Sequence, residues 1–491
     1  MRGREDNQVD DKTRDILKIF EQINKIPRCS KKEAKISQWL QQWAKDKGLT
    51  FRKDSSGNII IKIAATKGAQ KAPGVIIQGH LDMVCEKTED SDHDFSSDPI
   101  QCVYDGDWLI GRQTTLGADN GIAIALGLAI AEDPKIVHPP LELLFTVDEE
   151  SGLLGAKAMD QGFAEGGILL NVDSEDEGIF TIGCAGGEDT RIRLALDFEE
   201  LPAEINIYRL SASGMRGGHS GIDIHKHRAS ANKILARALD LLAKSGDMQL
   251  MSIKGGTVHN AIARDAQATV VSRPSQFAGM QNVIKDFEKT VLGEYATSEP
   301  SLALSINQVA HDSDSNSALT PESTHKAIQL LLALPHGVTG MSEDPGNLVE
   351  TSNNLATVEI KDKSLEILSS QRSSVMSRLE EITARVEAAA NLAGAEIKNE
   401  NGYPAWQPDW SSAVLKRSQK VYQKLFSKSP KLQTIHAGLE CGIIGSKHEN
   451  MDMISLGPTI ENPHSPGERL FIPSISRVWD FLAELLKSYA A

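Results

Sequence analysis

The 491-residue chain reads as an α/β protein in which one α/β domain is threaded through another. Two observations lead there. Apolar runs of strand length alternate with amphipathic helical segments along most of the chain, the pattern of an α/β sandwich. Side chains able to ligate a metal gather between His80 and Asp173 and do not recur in a matching setting until His464. The intervening strands and helices therefore form an insert. In order, amphipathic helices are expected over residues 13–26 and 31–47, strands over 58–63 and 74–80, and a buried helix over 122–130. Further strands span 141–147 and 167–172. Helices near 229–244 and 374–393 belong to the insert, the turn-rich Gly402-Tyr-Pro-Ala-Trp-Gln-Pro leads back to the core, and a helix over 474–489 closes the chain. The expected domains are 1–187, the first part of a catalytic core; 188–399, an inserted α/β lid; and 400–491, the rest of the core. The insert is about twice a minimal α/β module of roughly 100 residues, which allows two related halves, although no clean sequence repeat is visible.

Five short segments carry the chemistry: Gly79-His80-Leu81-Asp82, Gly117-Ala118-Asp119-Asn120, Asp148-Glu149-Glu150, Asn171-Val172-Asp173 and Asn462-Pro463-His464. Each sets a metal-binding side chain beside a turn. Together they offer imidazoles and carboxylates, the nitrogen and oxygen mixture that suits zinc and similar divalent ions. His80 ends an apolar strand, and ligands gather at such carboxyl ends in open α/β sheets. Asp82, two residues on, shares its face if the chain stays extended and can accept the second imidazole N–H. Asp119 opens an apolar helix, where an aspartate alone would be an ordinary N-cap. Three acids at Asp148 to Glu150 follow a buried strand. Adjacent glutamates can divide the labour there, one holding metal and the other staying free as a base. The acids after Asp173, namely Glu175, Asp176 and Glu177, read as a solvated turn.

Composition narrows the class. A formal net charge of −15, with no basic stripe, opposes nucleic-acid and anionic-membrane partners. The first eight residues lack the apolar core of a signal peptide and no apolar run is long enough to span a bilayer, so a cytoplasmic location is expected. The five cysteines, Cys29, Cys85, Cys102, Cys184 and Cys441, are scattered and read as reduced thiols.

In order along the chain, Gly79-His-Leu-Asp-Met-Val, Thr114-Thr-Leu-Gly-Ala-Asp-Asn-Gly, Gly183-Cys-Ala-Gly-Gly, Gly217-Gly-His-Ser-Gly, His436-Ala-Gly-Leu-Glu-Cys-Gly and Gly457-Pro-Thr-Ile with Pro463-His-Ser-Pro form a distinctive series. The chain resembles the two-zinc peptidases related to glutamate carboxypeptidase over nearly its whole length. That resemblance implies His80 and Asp173 as ligands of one ion, Glu150 and His464 as ligands of the other, and Asp119 as the bridge. It makes Glu149 the general base toward a bridging water and Asp82 the group that orients His80. It implies two divalent ions per subunit, most simply Zn2+, with Co2+ or Mn2+ accepted by the same donors. The implied activity is hydrolysis of unblocked dipeptides, with Xaa-His substrates such as Gly-His or carnosine-like compounds favoured.

Three residues of the insert are candidates for substrate contact. His219 matches the family's lid histidine, which donates to the oxyanion on closure. Simpler relatives borrow that histidine from a second subunit, so a homodimer or a doubled insert would supply it. Asn260 lies in a segment similar to the family's asparagine turn, although Ala263 stands where proline is usual. Arg372 is the candidate for gripping the substrate's carboxylate, a task suited to a planar guanidinium. His436 fits packing or substrate contact, and His225 and His227 lack further ligands. A tripeptide aminopeptidase or N-acyl amino-acid hydrolase is the alternative within this chemistry. A metal-containing peptide-binding protein without turnover is the alternative outside it, and Glu149 argues against it, since holding metal requires no extra acid.

Overall fold

The computed structural model describes residues 9–201, 204–310, 316–343, 348–448 and 450–490. Residues 1–8, the segment without a signal-peptide core, lie outside them. The chain divides into two compact units, one comprising Met1–Cys184, Trp406–Thr434 and Leu439–Ala491, the other Ala185–Ala405 with Ile435–Gly438.

The first unit is built on a mixed sheet in which Thr50–Lys53, Ile59–Ile63, Leu141–Thr146, Val75–His80, Ile168–Asn171, Asp452–Ser455 and Ile179–Cys184 lie side by side in that order. Val75–His80 runs parallel to both Leu141–Thr146 and Ile168–Asn171, and every residue of these three strands is buried. Parallel strands covered on both faces require such continuous apolar runs. One cover is Ala118–Glu132, apolar all round because it packs between Val75–His80 and the helix Asp11–Ile23. Asp11–Ile23 starts where the Asp10 carboxylate caps the Thr13 N–H and turns Ile16, Leu17, Phe20 and Ile23 inward. Ile472–Ala490 closes the chain with Ile475, Val478, Phe481, Leu482, Leu485 and Leu486 buried.

Two of the five cysteines depart from the expected reduced state. Cys29 and Cys85 are joined in a disulfide with Cα atoms 5.7 Å apart, tying the turn before Ala34–Asp46 to the loop after Val75–His80. Cys102, Cys184 and Cys441 remain free thiols. The pair is 56 residues apart, and their meeting depends on a tertiary contact, the bridge between Cys29 and Met83, that spacing does not reveal.

The second unit has an internal symmetry of topology. Asn206–Ser213, Ala231–Ser245, Gln249–Gly255, Ala266–Ser272, Phe277–Glu294 and Ala303–Val309 form one β-α-β-β-α-β series. Gly186–Ala195, Pro321–Ala333, Val349–Lys361, Ser364–Ser373, Met376–Leu392 and Glu396–Tyr403 form the other, interrupted by the first. Numbered within each series, the strands lie in the order 4-1-3-2 and then 2-3-1-4 across a single sheet. The second strands meet at the centre, pairing Lys254 with Glu359 and Gly255 with Val358, and Lys254 Nζ lies 2.9 Å from Glu359 Oε1.

Candidate active site

Each acid or imidazole of the five segments stands at or beside the boundary of an element. His80 is the last residue of its strand, Glu149 and Glu150 occupy the turn after Leu141–Thr146, and Asp173 lies two residues beyond Ile168–Asn171. Parallel strands bring these three ends together. Asp119 comes from the distorted start of Ala118–Glu132, where Gly117 is left-handed (φ 71°) and Asp119 departs from helical geometry (φ −78°, ψ 104°). Among the described residues no backbone N–H donates to its side chain, whose oxygens face the His80 and His464 rings instead, so it is not an N-cap. His464 sits in the turn between the paired strands Ile460–Glu461 and Arg469–Phe471. Buried Asn120 locks the arrangement: its Oδ1 accepts the His80 N–H at 3.2 Å and its Nδ2 donates to Val172 O at 2.8 Å. Gly79 has to be glycine, because a Cβ there would stand 2.2 Å from Asn120 Oδ1.

The resulting geometry is that of a shared carboxylate. Asp119 Oδ1 lies 3.0 Å from His80 Nε2 and Asp119 Oδ2 lies 3.1 Å from His464 Nε2. Asp173 Oδ1 is 3.4 Å from His80 Nε2, and Glu150 Oε2 is 3.0 Å from His464 Nε2. One imidazole and one further acid thus flank each oxygen of Asp119. His80 Nδ1 lies 3.2 Å from Asp82 O and 3.4 Å from Asp82 Oδ1. The Asp82 carboxylate does more than the sequence suggests: it accepts the N–H groups of Glu149 (3.0 Å) and Glu150 (3.1 Å) and the Ser30 hydroxyl (2.8 Å). It holds the two-glutamate turn as well as facing the imidazole. Burial pushes Asp82 up, but His80, the Glu149 N–H and Ser30 outweigh it and bring Asp82 down to about 2.

This donor set fits divalent metal. The ligand atoms of His80, Asp119 and Asp173 lie within 4.8 Å of one another, as do those of Asp119, Glu150 and His464. Glu150 Oε1 and Asp173 Oδ1 are buried without a hydrogen-bond partner. Burial, with the Asp173 and Glu150 charges, raises Glu149 well above the usual carboxylate range against the opposing His80. Burial likewise lifts Glu440 to about 8, its Oε2 accepting Gln78 Nε2 at 2.6 Å and Thr146 Oγ1 at 2.7 Å. So many crowded acids call for positive charge among them.

Of the acids after Asp173, Asp176 is exposed as expected, whereas Glu175 and Glu177 are partly buried and engaged. Glu177 pairs with Arg477 at 2.9 Å and accepts the Tyr422 hydroxyl at 2.7 Å, while burial and the charges of Asp119 and Asp173 push Glu175 up to about 8. Ser30 and Glu440 escape sequence reasoning because their roles rest on contacts between distant segments. The Glu in the His436-Ala-Gly-Leu-Glu-Cys-Gly marker was the one available signal for Glu440.

His219, Asn260 and Arg372 belong to the second unit. His219 Nδ1 accepts the N–H groups of Gly221 (3.2 Å) and Ile222 (3.1 Å), which places the ring proton on Nε2. Burial, with the Arg372 charge, lowers His219 to about 4, so it is neutral near pH 7. His219 and Asn260 line a cavity of about 1050 Å3 together with Arg216, Lys254 and Arg264. Arg372 lies near the end of the strand Ser364–Ser373, is buried, and donates from Nη1 to the Tyr403 hydroxyl at 2.8 Å while its Nε has no partner. His436 Nε2 lies 2.7 Å from Ser352 Oγ, and His225 and His227 are exposed.

An α/β sheet whose strand ends converge on two imidazoles, a shared aspartate and an uncommitted glutamate defines a metallohydrolase-type centre. Residues 76–488 match peptidase family M20/M25/M40, and the chain belongs to that family; it is a hydrolase and a peptidase. It is 41% identical over 473 residues to the cytosol non-specific dipeptidase of Escherichia coli strain K12, covering 96% of this chain and 97% of that protein. The crystal structure of aminoacylhistidine dipeptidase from Vibrio alginolyticus is similar with a TM-score of 0.89 and 36% identity, covering 99% of this chain and 98% of that one. Aminopeptidase PepT from Bacillus cereus, at a TM-score of 0.58 and 15% identity over 98% and 100% of the two chains, shares the fold. No helix among the described residues is long and apolar enough to cross a membrane.

Proposed function

We propose that this peptidase is a cytosolic dipeptidase that removes one residue from unblocked dipeptides, Xaa-His favoured, at a two-ion centre. Its ligands are His80 and Asp173 on one side, Glu150 and His464 on the other, and Asp119 between them. The observation that carries the reading is the division of Asp119, one oxygen toward each histidine, beside a Glu149 carboxyl that makes no hydrogen bond or ion pair among the described residues. When bound there, two divalent ions, Zn2+ or with the same donors Co2+ or Mn2+, supply Lewis-acid polarisation and an acidified water. Glu149 takes the proton of the attacking water and returns it to the leaving amide nitrogen, which departs as a free amine. Asp82 keeps Glu149 in reach through its backbone N–H. His219, protonated on Nε2, is a neutral donor suited to the oxyanion, and Arg372, with Asn260, to the substrate's polar ends.

The names of the two similar dipeptidases support the dipeptide class, and the Vibrio name supports histidine in the second position. The likeness to PepT is one of fold alone. The test is amine release from Gly-His, a tripeptide ending in the same pair, and N-acetylated Gly-His. Turnover of the first with at least tenfold slower reaction of the other two is expected. Preference for the tripeptide or the acylated compound would replace this reading with its alternatives.

A further inference from the structure

Glu468 stands four residues beyond His464, just before the strand Arg469–Phe471, and is 2% exposed. Its carboxylate accepts four consecutive backbone N–H groups: Oε2 takes those of Leu116 (2.8 Å) and Gly117 (3.0 Å), Oε1 those of Ala118 (2.7 Å) and Asp119 (3.2 Å). This is the segment in which Gly117 is left-handed and Asp119 is non-helical, so no regular ladder fixes its shape. From the other side the buried Arg28 guanidinium donates to Gly117 O, to Leu81 O at 3.1 Å and to Asp82 O at 2.9 Å. The Asp119 segment is thereby held between an anion that binds its N–H groups and a cation that binds one of its carbonyls. The same cation reaches the turn after His80.

The requirement for a carboxylate is geometric. Only a side chain with two acceptor oxygens, each able to receive two bonds, satisfies four donors at once. Glutamine would direct its NH2 group at two N–H donors, and aspartate would keep the charge but fall one methylene short. Because Glu468 and His464 share one short loop, the four bonds fix Asp119 against the loop that carries His464.

We infer that Glu468 is a positioning residue of the metal centre, setting the distance between Asp119 and His464 and hence the affinity with which the shared carboxylate holds its ions. The inference rests on the reading of Asp119 as the shared ligand. An acid that served folding alone would change the stability of the metal-free protein and leave its zinc affinity untouched, and this separates the two roles.

The experiment uses full-length wild type, Glu468→Gln and Glu468→Asp, stripped by chelator and shown by circular dichroism to be folded. Zinc(II) is then titrated against a chromophoric competitor, with melting temperatures of the stripped proteins and kcat and KM for Gly-His measured alongside. Wild type is expected to take two equivalents. Glu468→Gln is expected to bind zinc at least tenfold more weakly, with kcat reduced at sub-saturating zinc and KM within about twofold of wild type. Glu468→Asp should lie between them, and it carries the test if the glutamine variant does not fold. Wild-type zinc affinity in the folded variants, with only the melting temperature lowered, would overturn the inference. A wild type that takes up no pair of ions would instead overturn the two-ion reading.

Discussion

At the scale of single residues, Glu149 and Glu150 are neighbours of identical chemistry in different surroundings, to which the proposed function gives different tasks. Both backbone N–H groups are pinned by Asp82, yet only Glu150 reaches a histidine, at 3.0 Å from His464 Nε2. Glu149→Gln should therefore retain the metal content of wild type while kcat for Gly-His falls about 10²–10⁴-fold, the usual contribution of a positioned base. Metal analysis beside steady-state kinetics checks both halves, and unchanged kcat would remove Glu149 from the mechanism. The five segments can be read in the sequence because each sets a metal-binding side chain beside a turn, all within a few residues. Arg28, Ser30, Glu440 and Glu468 leave no such local mark. Their partners are backbone groups or buried polar side chains brought near by folding, 352 positions away in the case of Glu468 and Leu116.

At the scale of elements, local periodicity places the helices well, since Asp11–Ile23, Ala34–Asp46 and Ile472–Ala490 each carry an apolar stripe. Pairing between distant elements is another matter. The strand order of the second unit shows two related series, but their buried positions repeat as a pattern of apolar residues and not as identities, so no sequence repeat announces them. The disulfide belongs to the same category. It staples the turn carrying Arg28 and Ser30 to the loop that follows Asp82, and both of those residues bind that loop. Replacing Cys29 and Cys85 by serine should cost roughly 2–4 kcal/mol of stability, the range for closing a loop of this kind. Denaturant unfolding of the double variant against wild type, both without reductant, measures it; equal midpoints would show that the staple contributes nothing.

At the scale of the whole molecule, ionisation divides the chain into two kinds of region. The first unit crowds acids around a cation site, whereas the second buries neutral histidines. Burial, with nearby positive charge, lowers His219 and His336 to about 4 and His436 to about 3. Between those values and the unfolded value near 6.5 the unfolded chain binds more protons, so stability rises with pH and is lost as pH falls through this window. Hydrogen exchange should show strands such as Val349–Lys361 losing protection progressively from about pH 6.5 toward pH 4. Protection that is flat over that range would mean the histidines are not held neutral.

The proposed two-ion hydrolytic centre draws five side chains from five separate segments. Its most direct test is amine release from Gly-His by chelator-stripped protein as zinc is added in stoichiometric steps. Activity absent in the stripped protein and rising to a plateau near two equivalents is the predicted result. Full activity without added metal, or two ions bound with no turnover of any dipeptide, would contradict it.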